Sequence, residues 1–521
     1  MIRRIITLKK IHISVLAVIF FSACTNLEEI PLDQLDATEF NQDENQVGAT
    51  IRGIAASFSD AYDWRYMFMM HEVSTDIGVI PTRNGGWNCC GERNYNEHTW
   101  DSGTEYSRRV YNFYSLIIGR ANSALQSITD EERFQSQIAE IRFLRALAYF
   151  DLMDLYGNVP IVTEAVQDPN NLAGNQPIAE QRAIVFNFVE EELIAAIADL
   201  PEKFTVPDTH YPRPVKEAAQ GFLAKLYLNA EVYSGTPRWN ECIAACNDVI
   251  SSGAYSLTPN ISDSFVPQNQ NSPEIMYASV KTNMSADQGN GLIANQLQLQ
   301  GELAWKFNLP INGWGGFSVM QEHFETYDED DYRRTLILQG PQFVDEAQTE
   351  PLYKGAGTGG NGDPANGQFE IFDIESIADA PVEQGFKSVK YVPDPNATGA
   401  FSNNDVVILR YADILLTKAE AILRGGSDPD GDTPESLVNM VRARNFDPEK
   451  PILNPTLGDI LAERAWEFSL EAKRRQDLIR FGQFIPLDYK FKVNFDNFRT
   501  IYPIPLTELD KNPNLVQNPG Y

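Results

Sequence analysis

Apolar side chains recur at three- and four-residue steps along much of this 521-residue chain. The pattern is clearest at Ile141, Leu144, Ala148 and Leu152, and Gly157 follows the last apolar turn. Because residues three and four apart share one face of an α-helix, this spacing predicts an amphipathic helix that ends near Gly157. The same periodicity predicts helices near residues 104–127, 178–200, 215–233, 238–251, 406–424, 434–444 and 457–482. We therefore expect a mainly α fold.

The predicted helices come in close pairs. Segments 215–233 and 238–251, for example, are separated only by Ser234-Gly235-Thr236-Pro237. Antiparallel helix pairs with short connections are typical of a tetratricopeptide-like scaffold, although the roughly 34-residue repeat of that architecture is not clear in this sequence. We expect the scaffold to occupy about 104–252 and 406–485.

Two long irregular regions, about 62–103 and 253–405, are rich in Gly, Asn and Pro. Such composition is typical of exposed loops, and loops of this length in a compact domain commonly carry recognition. Short strands are expected at 274–280, 387–391 and 501–504. The sequence thus predicts a single domain over 41–521, in which loop-rich insertions on the helical scaffold bind the ligand.

The N-terminus has the pattern of a bacterial lipoprotein export signal. After a basic start, nine mostly apolar residues lie at Ile13–Phe21, and Ser22-Ala23-Cys24 completes a processing site in which Phe21 replaces the usual Leu. Nine residues cannot span a bilayer, which needs about 20. The pattern predicts a signal peptide at 1–23, lipidation of Cys24 and a tether at 24–40. The alternative is an ordinary cleaved signal that leaves Cys24 as a spare thiol.

Composition limits the classes of function. The formal net charge is −30 at pH 7, and such a field repels the phosphate backbone of nucleic acids. Aromatic residues make up 11% of the chain, whereas it has only five histidines. The sequence contains no GxSxG nucleophile elbow, no HExxH zinc motif and no Walker loop. We therefore expect no nucleic-acid partner, and the balance favours binding over catalysis.

Asp428, Asp430 and Asp432 form a weak calcium candidate. They alternate along a turn that contains glycine, as hard oxygen ligands of calcium do, but the bidentate glutamate of an EF-hand is missing from its place. The alternative is a solvated acidic loop between two helices. Apart from this weak calcium site, we expect no cofactor.

Besides Cys24, the chain has two pairs of cysteines. Cys89 and Cys90 are adjacent, so they form either a strained vicinal disulfide or two unpaired thiols. Cys242 and Cys246 lie one turn apart on a predicted helix and are poorly placed to pair with each other. A four-cysteine zinc site is formally available, but neither pair has CxxC spacing.

Four segments of the chain resemble the SusD/RagB family of Bacteroidetes surface lipoproteins, in the family order. Residues 140–163 (EIRFLRALAYFDLMDLYGNVPIVT) are similar to the signature helix of the family. Residues 406–422 (VVILRYADILLTKAEAI), 457–484 (LGDILAERAWEFSLEAKRRQDLIRFGQF) and 502–521 (YPIPLTELDKNPNLVQNPGY) are similar to further family motifs. Charged residues of these motifs are expected in buried ion pairs or helix caps, not in binding: Arg145, Arg410, Glu420, Arg464 and Glu471.

The resemblance implies a non-catalytic protein on the cell surface, held in the outer membrane through lipid on Cys24. It implies that the protein binds oligosaccharide, polysaccharide or a similar nutrient. It also implies delivery of the nutrient to a SusC-like TonB-dependent transporter, over which the protein acts as a lid. The alternatives are a surface glycoside hydrolase that uses two carboxylates and a helical scaffold that binds only protein.

Sugar chemistry indicates where the ligand would bind. A sugar ring stacks its apolar C–H face on aromatic side chains, and its hydroxyls need carboxylate, amide or guanidinium partners. Residues 71–90 are similar to the family segment whose tryptophan commonly forms the sugar platform, which indicates Trp87. Leu309–Phe317 is a second candidate, where glycines let the backbone approach a ligand. The expected ligand-binding residues are Trp87, Trp314, Asp76, Arg83, Asn84, Phe317, Trp305, Trp64 and Tyr62, and each aromatic residue has the alternative of being a core anchor.

Overall fold

The computed structural model describes residues 42–62, 66–83, 85–165, 168, 170–207, 210–281, 298–310, 312–355, 360–398 and 401–521. The α-helices are α1 (Glu44–Ala61), α2 (Glu92–Glu97), α3 (Glu105–Ser127), α4 (Gln135–Tyr156), α5 (Ile178–Asp199), α6 (Lys216–Leu228), α7 (Ala230–Ser234), α8 (Trp239–Ser251), α9 (Glu302–Lys306), α10 (Gln321–Glu325), α11 (Tyr332–Thr335), α12 (Tyr411–Leu423), α13 (Pro434–Ala443), α14 (Leu457–Glu467), α15 (Arg474–Arg480) and α16 (Leu506–Lys511). A π-helical turn spans Met69–Val73. The predicted signal peptide, Cys24 and the tether lie outside the described residues.

Neighbouring helices pack in series. In the N-terminal half α3 packs on α4, α4 on α5, and α5 on α6. α6 then packs on α8, α8 contacts α12, and α12 packs on α13 and α14. The two predicted stretches of scaffold are therefore joined through the contact of α8 with α12. The expectation of a mainly α fold with few short strands is confirmed.

α4 is a core helix, although its spacing predicts a single apolar face. From Ala139 to Tyr156 every side chain except that of Arg142 is buried. α1, α3 and α5 all pack against α4, and a helix covered in this way is buried around most of its circumference. The helix ends at Gly157 as predicted: this residue has φ +67° and donates its N–H to the carbonyl oxygen of Met153 at 3.0 Å.

In the described part of the chain the strands form four two-stranded antiparallel ladders: β1 (Gly78–Val79) with β3 (Ser318–Val319), β2 (Ile275–Ser279) with β8 (Val406–Arg410), β4 (Ile337–Leu338) with β7 (Lys387–Ser388), and β5 (Gly340–Pro341) with β6 (Glu370–Ile371). The predicted strand at 274–280 is confirmed as β2, and that at 387–391 shortens to β7. The predicted helix over 406–424 is wrong at its start. Val406, Val407 and Ile408 are β-branched and lie in β8, so α12 begins only at Tyr411.

The predicted strand at 501–504 is wrong, because its backbone groups find other partners. The N–H of Tyr502 donates to the carbonyl oxygen of Leu155, at the end of α4, at 2.7 Å. The N–H of Ile504 donates to the side-chain oxygen of Gln517 at 2.8 Å. The backbone N–H groups of this segment are therefore hydrogen-bonded to a helix end and to a side chain, and not to a partner strand.

The predicted helix at 457–482 is interrupted between α14 and α15. Leu470 and Ala472 in this interruption have positive φ angles of 66° and 56°, which continuous helix does not allow. The interruption places Glu471 against Arg410 and lets the N–H of Ala472 donate to Glu72 Oε1 at 2.6 Å. Tertiary contacts thus override the helical pattern here.

A buried ion-pair network connects the scaffold with the loop regions. Arg410 of β8 is fully buried, and its guanidinium contacts Glu274 at 2.6 Å, Glu467 of α14 at 2.7 Å and Glu471 at 2.8 Å. A buried charge that loses its partner destabilises a protein by about 3–5 kcal/mol, which makes such pairs structural. The other charged motif residues also form buried pairs, as predicted: Arg145 with Glu192, Glu420 with Arg480, and Arg464 with Asp413.

Candidate ligand-binding site

Two loops that are distant in sequence meet at the ladder of β1 and β3. In this ladder Gly78 lies opposite Val319. The ring of Phe317 packs on Gly78, where a Cβ would stand 2.2 Å from the ring. Phe317 is fully buried and meets Phe68 edge-to-face, with the ring centroids 4.9 Å apart. Phe317 therefore packs beneath the ladder as a buried support for both loops. The ladder holds the chain that follows residue 79 beside the chain that precedes residue 318.

Arg83 connects these loops to a third segment. Its guanidinium is buried and donates to Ser318 Oγ at 2.8 Å, to the carbonyl oxygen of Gln384 at 2.9 Å and to that of Pro381 at 2.5 Å. Burial lowers the pKa of Arg83 to about 10, so the side chain remains a cation at neutral pH. Because these donors are used within the protein, the geometry favours a role in holding the loops together.

Trp87 follows a tight turn in which the backbones of Arg83 and Gly86 exchange hydrogen bonds of 3.0 and 2.8 Å. Trp87 has φ +60°, a left-handed conformation that is uncommon for a bulky residue. Its Nε1 donates to the carbonyl oxygen of Trp314 at 3.0 Å. Its ring covers Gly316, where a Cβ would lie 2.4 Å from the ring. The glycine predicted to let a ligand approach therefore leaves room for Trp87 instead.

Trp87 and Trp314, called the indole pair below, lie side by side at the surface. Their ring centroids are 6.3 Å apart and their planes are inclined by 50°. The side chain of Trp314 is 46% exposed, and Trp87 is half-buried. The structure thus brings together one residue from each of the two predicted binding segments. Two partly exposed aromatic faces with different directions are suited to contact the apolar faces of a large ligand.

Two further predicted residues have protein partners. Asp76 receives two hydrogen bonds from the guanidinium of Arg474, at 2.8 and 2.7 Å. Burial opposes ionisation of Asp76, but the charge of Arg474 outweighs it and holds the pKa of Asp76 below its usual range. The ion pair of Asp76 with Arg474 anchors the loop before β1 to α15. Trp305 lies in α9 and is partly buried against the main hydrophobic core.

Tyr62 lies at the C-terminal end of α1 and contacts α4. Its hydroxyl donates to Asp151 Oδ2 at 3.1 Å, and the same oxygen accepts a hydrogen bond of 2.6 Å from the hydroxyl of Tyr114. Burial, together with the neighbouring charge of Asp151, raises the pKa of Tyr62 well above its usual value. The structure therefore gives Tyr62 partners in the helical core. Trp64 and Asn84 lie outside the described residues.

The acidic loop of the calcium hypothesis contains a protein cation. The ammonium group of Lys418 lies 3.0 Å from Asp428 Oδ2 and 2.5 Å from Asp432 Oδ2. Asp428 also accepts hydrogen bonds from the side chain of Asn247 and from the backbone of Asp432. Because Lys418 supplies the positive charge, two of the three candidate calcium ligands are used in an ion pair, which favours the alternative of an acidic loop between two helices.

The four cysteines of the described chain are unpaired thiols in different surroundings. Cys242 and Cys246 are fully buried in α8, whereas Cys89 is exposed and Cys90 is half-buried. Within the described segments, the one group of metal-binding side chains with ligand atoms close enough to share an ion is Cys89, Cys90 and Glu92. The four-cysteine zinc site therefore has no support from the structure.

Sequence reasoning does not identify Ser318 or Gln384 as parts of this site, and it assigns Gly316 to the approach of a ligand instead of to the packing of Trp87. Gly316 receives the Trp87 ring, and the other two accept hydrogen bonds from Arg83. The Trp314-Gly315-Gly316-Phe317 motif gives a hint, since paired glycines permit close packing, but it does not say which side chain packs there.

One family model, described as the SusD family, matches residues 382–521. A second, described as "Starch-binding associating with outer membrane", matches residues 36–228. Among the helices of the described residues, none combines the length and the apolar character that a membrane-spanning segment requires.

Curated relatives cover most of the chain. The starch-binding protein SusD of Bacteroides thetaiotaomicron is 26% identical over 469 residues, which cover 81% of this chain and 80% of that protein. SusD-like protein P2 of Formosa agariphila is 25% identical over 530 residues, covering 96% of this chain and 97% of the relative.

Solved structures share the fold. A SusD homologue from B. thetaiotaomicron has a TM-score of 0.74 at 19% identity and covers 93% of this chain and 98% of its own. Surface glycan-binding protein A from B. thetaiotaomicron, solved in complex with laminarihexaose, has a TM-score of 0.70 at 20% identity and covers 91% of this chain and 99% of its own. One family model matches the N-terminal part of the chain, another matches its C-terminal part, and a curated relative covers most of it. This chain therefore belongs to the SusD/RagB family.

Proposed function

We propose that this protein binds a glycan at the cell surface and that the indole pair is its sugar platform. The observation that carries the proposal is the meeting of Trp87 and Trp314, which come from loops 227 positions apart and present partly exposed rings. A single buried tryptophan needs no ligand to explain it. Two adjacent, accessible indoles form an apolar patch of the kind that marks an interaction site.

Backbone strain at Trp87 supports the same proposal. The left-handed conformation of a bulky residue is costly, by roughly 1–2 kcal/mol, and such strain clusters at functional sites. In this conformation the indole of Trp87 lies across Gly316 and next to Trp314. Gly78, Phe317 and Arg83 then act as supports that keep the two loops in register.

The relatives indicate the ligand class. The curated B. thetaiotaomicron relative is a starch-binding protein, and a structural relative was solved with laminarihexaose. Starch and laminarin are glucans whose successive rings turn along the chain. The 50° inclination of the indole planes suits a turning chain better than a flat ribbon, because two rings of a flat ribbon need parallel platforms. We therefore propose a turning glucan as the ligand.

The family also bears on the alternatives. The chain belongs to a non-catalytic family, which excludes the surface glycoside hydrolase. A helical scaffold that binds only protein would leave the exposed indole rings without a role in binding. Incubation of the protein with glucan oligosaccharides should yield binding and no shorter products.

We further propose the cellular setting. Lipidation of Cys24 would hold the protein on the outer face of the outer membrane, and the tether at 24–40 would let it move as a lid on a SusC-like TonB-dependent transporter. The export pattern around Cys24 and a family described as associating with the outer membrane support this. Cys24→Ala should shift the protein from the membrane to the soluble fraction in cells; a mutant that stays in the membrane would contradict the lipid anchor.

Titration calorimetry tests the platform. Laminarihexaose and a malto-oligosaccharide of equal length serve as ligands, and the variants are Trp87→Ala and Trp314→Ala. Each variant should lose at least tenfold in affinity, which corresponds to about 1.4 kcal/mol. Phe204→Ala is the matched control, because Phe204 is 74% exposed and lies in the turn after α5. Affinity unchanged in both tryptophan variants would refute the platform.

A further inference from the structure

The loop that carries Trp87 continues into a compact group of three possible metal ligands. The two Sγ atoms of Cys89 and Cys90 and a carboxylate oxygen of Glu92 all lie within 4.8 Å of one another. Cys89 is exposed, so an ion has access from solvent, and Glu92 is buried at the start of α2. The separation of Cys89 Sγ and Glu92 Oε1 is 3.7 Å.

Glu92 is the second observation that points to a cation. Its carboxylate accepts hydrogen bonds from the Tyr106 hydroxyl at 3.0 Å, from the Cys90 N–H at 3.1 Å and from the Cys89 thiol. These described donors are all neutral. Buried carboxylates are normally paired with a cation or coordinate a metal, so a cation bound by this group would supply the partner that these three donors do not.

We propose that Cys89, Cys90 and Glu92 bind one divalent cation of the zinc class, through two thiolates and one carboxylate oxygen. Thiolate ligands select zinc over calcium and magnesium. In a tetrahedral site, bonds of about 2.3 Å to sulfur and about 2.1 Å to oxygen place those two atoms about 3.6 Å apart, which the 3.7 Å separation matches. The Tyr106 hydroxyl then orients the carboxylate as an outer partner. Three protein ligands leave a fourth position for water.

Metal binding must displace thiol protons. Zinc coordinates the thiolate form of cysteine, so these protons are released to the solvent when the ion binds. The site adjoins Trp87 in sequence but stands independently of glycan binding.

Metal titration of the reduced protein tests this proposal. All samples carry Cys24→Ala, so that the export cysteine contributes no thiol. The protein is stripped with a chelator and titrated with Zn²⁺, with release of protons as one readout, and then with Cd²⁺, whose bonds to thiolate absorb in the ultraviolet. We expect one equivalent of either ion to bind, loss of binding in Cys89→Ser and Cys90→Ser, and at least tenfold weaker binding in Glu92→Gln. Glu97→Gln, on the same short helix, is the control and should bind as the parent does.

A second measurement needs no substitution in the site. Zn²⁺ should protect Cys89 and Cys90 from alkylation, as mapped by mass spectrometry, and leave the slow alkylation of Cys242 and Cys246 in α8 unchanged. Absence of protection would overturn the proposal, as would Zn²⁺ affinity that is equal in the parent and all three variants. Recovery of a Cys89–Cys90 disulfide as the stable form of the protein, resistant to mild reduction, would also overturn it, because the site requires both thiolates.

Discussion

Replacing Gly316 with alanine would disturb the indole pair without removing an aromatic group. The added Cβ would lie 2.4, 2.5 and 2.7 Å from Cζ2, Cε2 and Cη2 of Trp87. Carbon atoms pack best at about 3.5–4.0 Å, so the ring has to move by about 1 Å. Gly316 is not among the glycines with positive φ, so alanine meets no backbone penalty there. The substitution therefore acts on the position of Trp87.

The loss of affinity can be estimated from that displacement. A gap of 0.5–1 Å already forfeits about a quarter to a half of the dispersion energy of a contact. The shift also weakens the hydrogen bond from Trp87 Nε1 to the carbonyl oxygen of Trp314, and such a bond contributes about 1 kcal/mol. Together these effects amount to about 1–2 kcal/mol, so glycan affinity should fall by roughly 5- to 30-fold.

Calorimetry with the glycan that binds best in an oligosaccharide panel measures the change. Gly53→Ala is the matched control, because Gly53 is exposed on α1 and a Cβ there meets no atom within 4 Å. This control should keep its affinity and gain about 0.5–1 kcal/mol of stability, since alanine favours helix. If Gly316→Ala folds and binds the glycan as tightly as the parent, the indole pair does not form the platform.

Three further predictions concern stability. Arg410→Met should lower the free energy of unfolding by about 3–5 kcal/mol in a urea titration, because it leaves buried carboxylates without their cation; a loss under 1 kcal/mol would contradict the network. Burial opposes ionisation of Glu274, but Arg410 and Arg444 outweigh it and lower its pKa to about 2 from 4.5. The contribution of ionised Glu274 to the free energy of unfolding should therefore be fully present above pH 4.5 and be lost as the pH falls towards 2. Glu274→Gln lacks this contribution, so its stability should decline less steeply over that range. Addition of Ca²⁺ to the chelator-treated protein should leave the melting temperature unchanged, whereas Lys418→Met should lower it, and a clear rise with Ca²⁺ would restore the calcium site.

Much of the helical scaffold follows from the sequence alone. The spacing of apolar residues predicts α4 and its end at Gly157, because a helix places residues three and four apart on one face whatever surrounds it. The same local rule fails where distant groups compete. β8 pairs with β2, and the interruption between α14 and α15 brings Glu471 to Arg410 and the N–H of Ala472 to Glu72. The boundaries of these elements therefore depend on partners that the local pattern does not contain.

The binding site divides in the same way. Residue chemistry and the family resemblance were enough to name Trp87 and Trp314 as candidates, since only aromatic rings offer flat apolar faces for sugars. That the two meet, and that Gly316 makes room for one of them, depends on a ladder between chain segments more than 200 positions apart. Asp76 and Arg83 have the right chemistry for sugar hydroxyls, yet the fold gives both of them protein partners. Local spacing is a property of the chain itself, whereas the partner of a polar or aromatic group is chosen only when distant segments pack together.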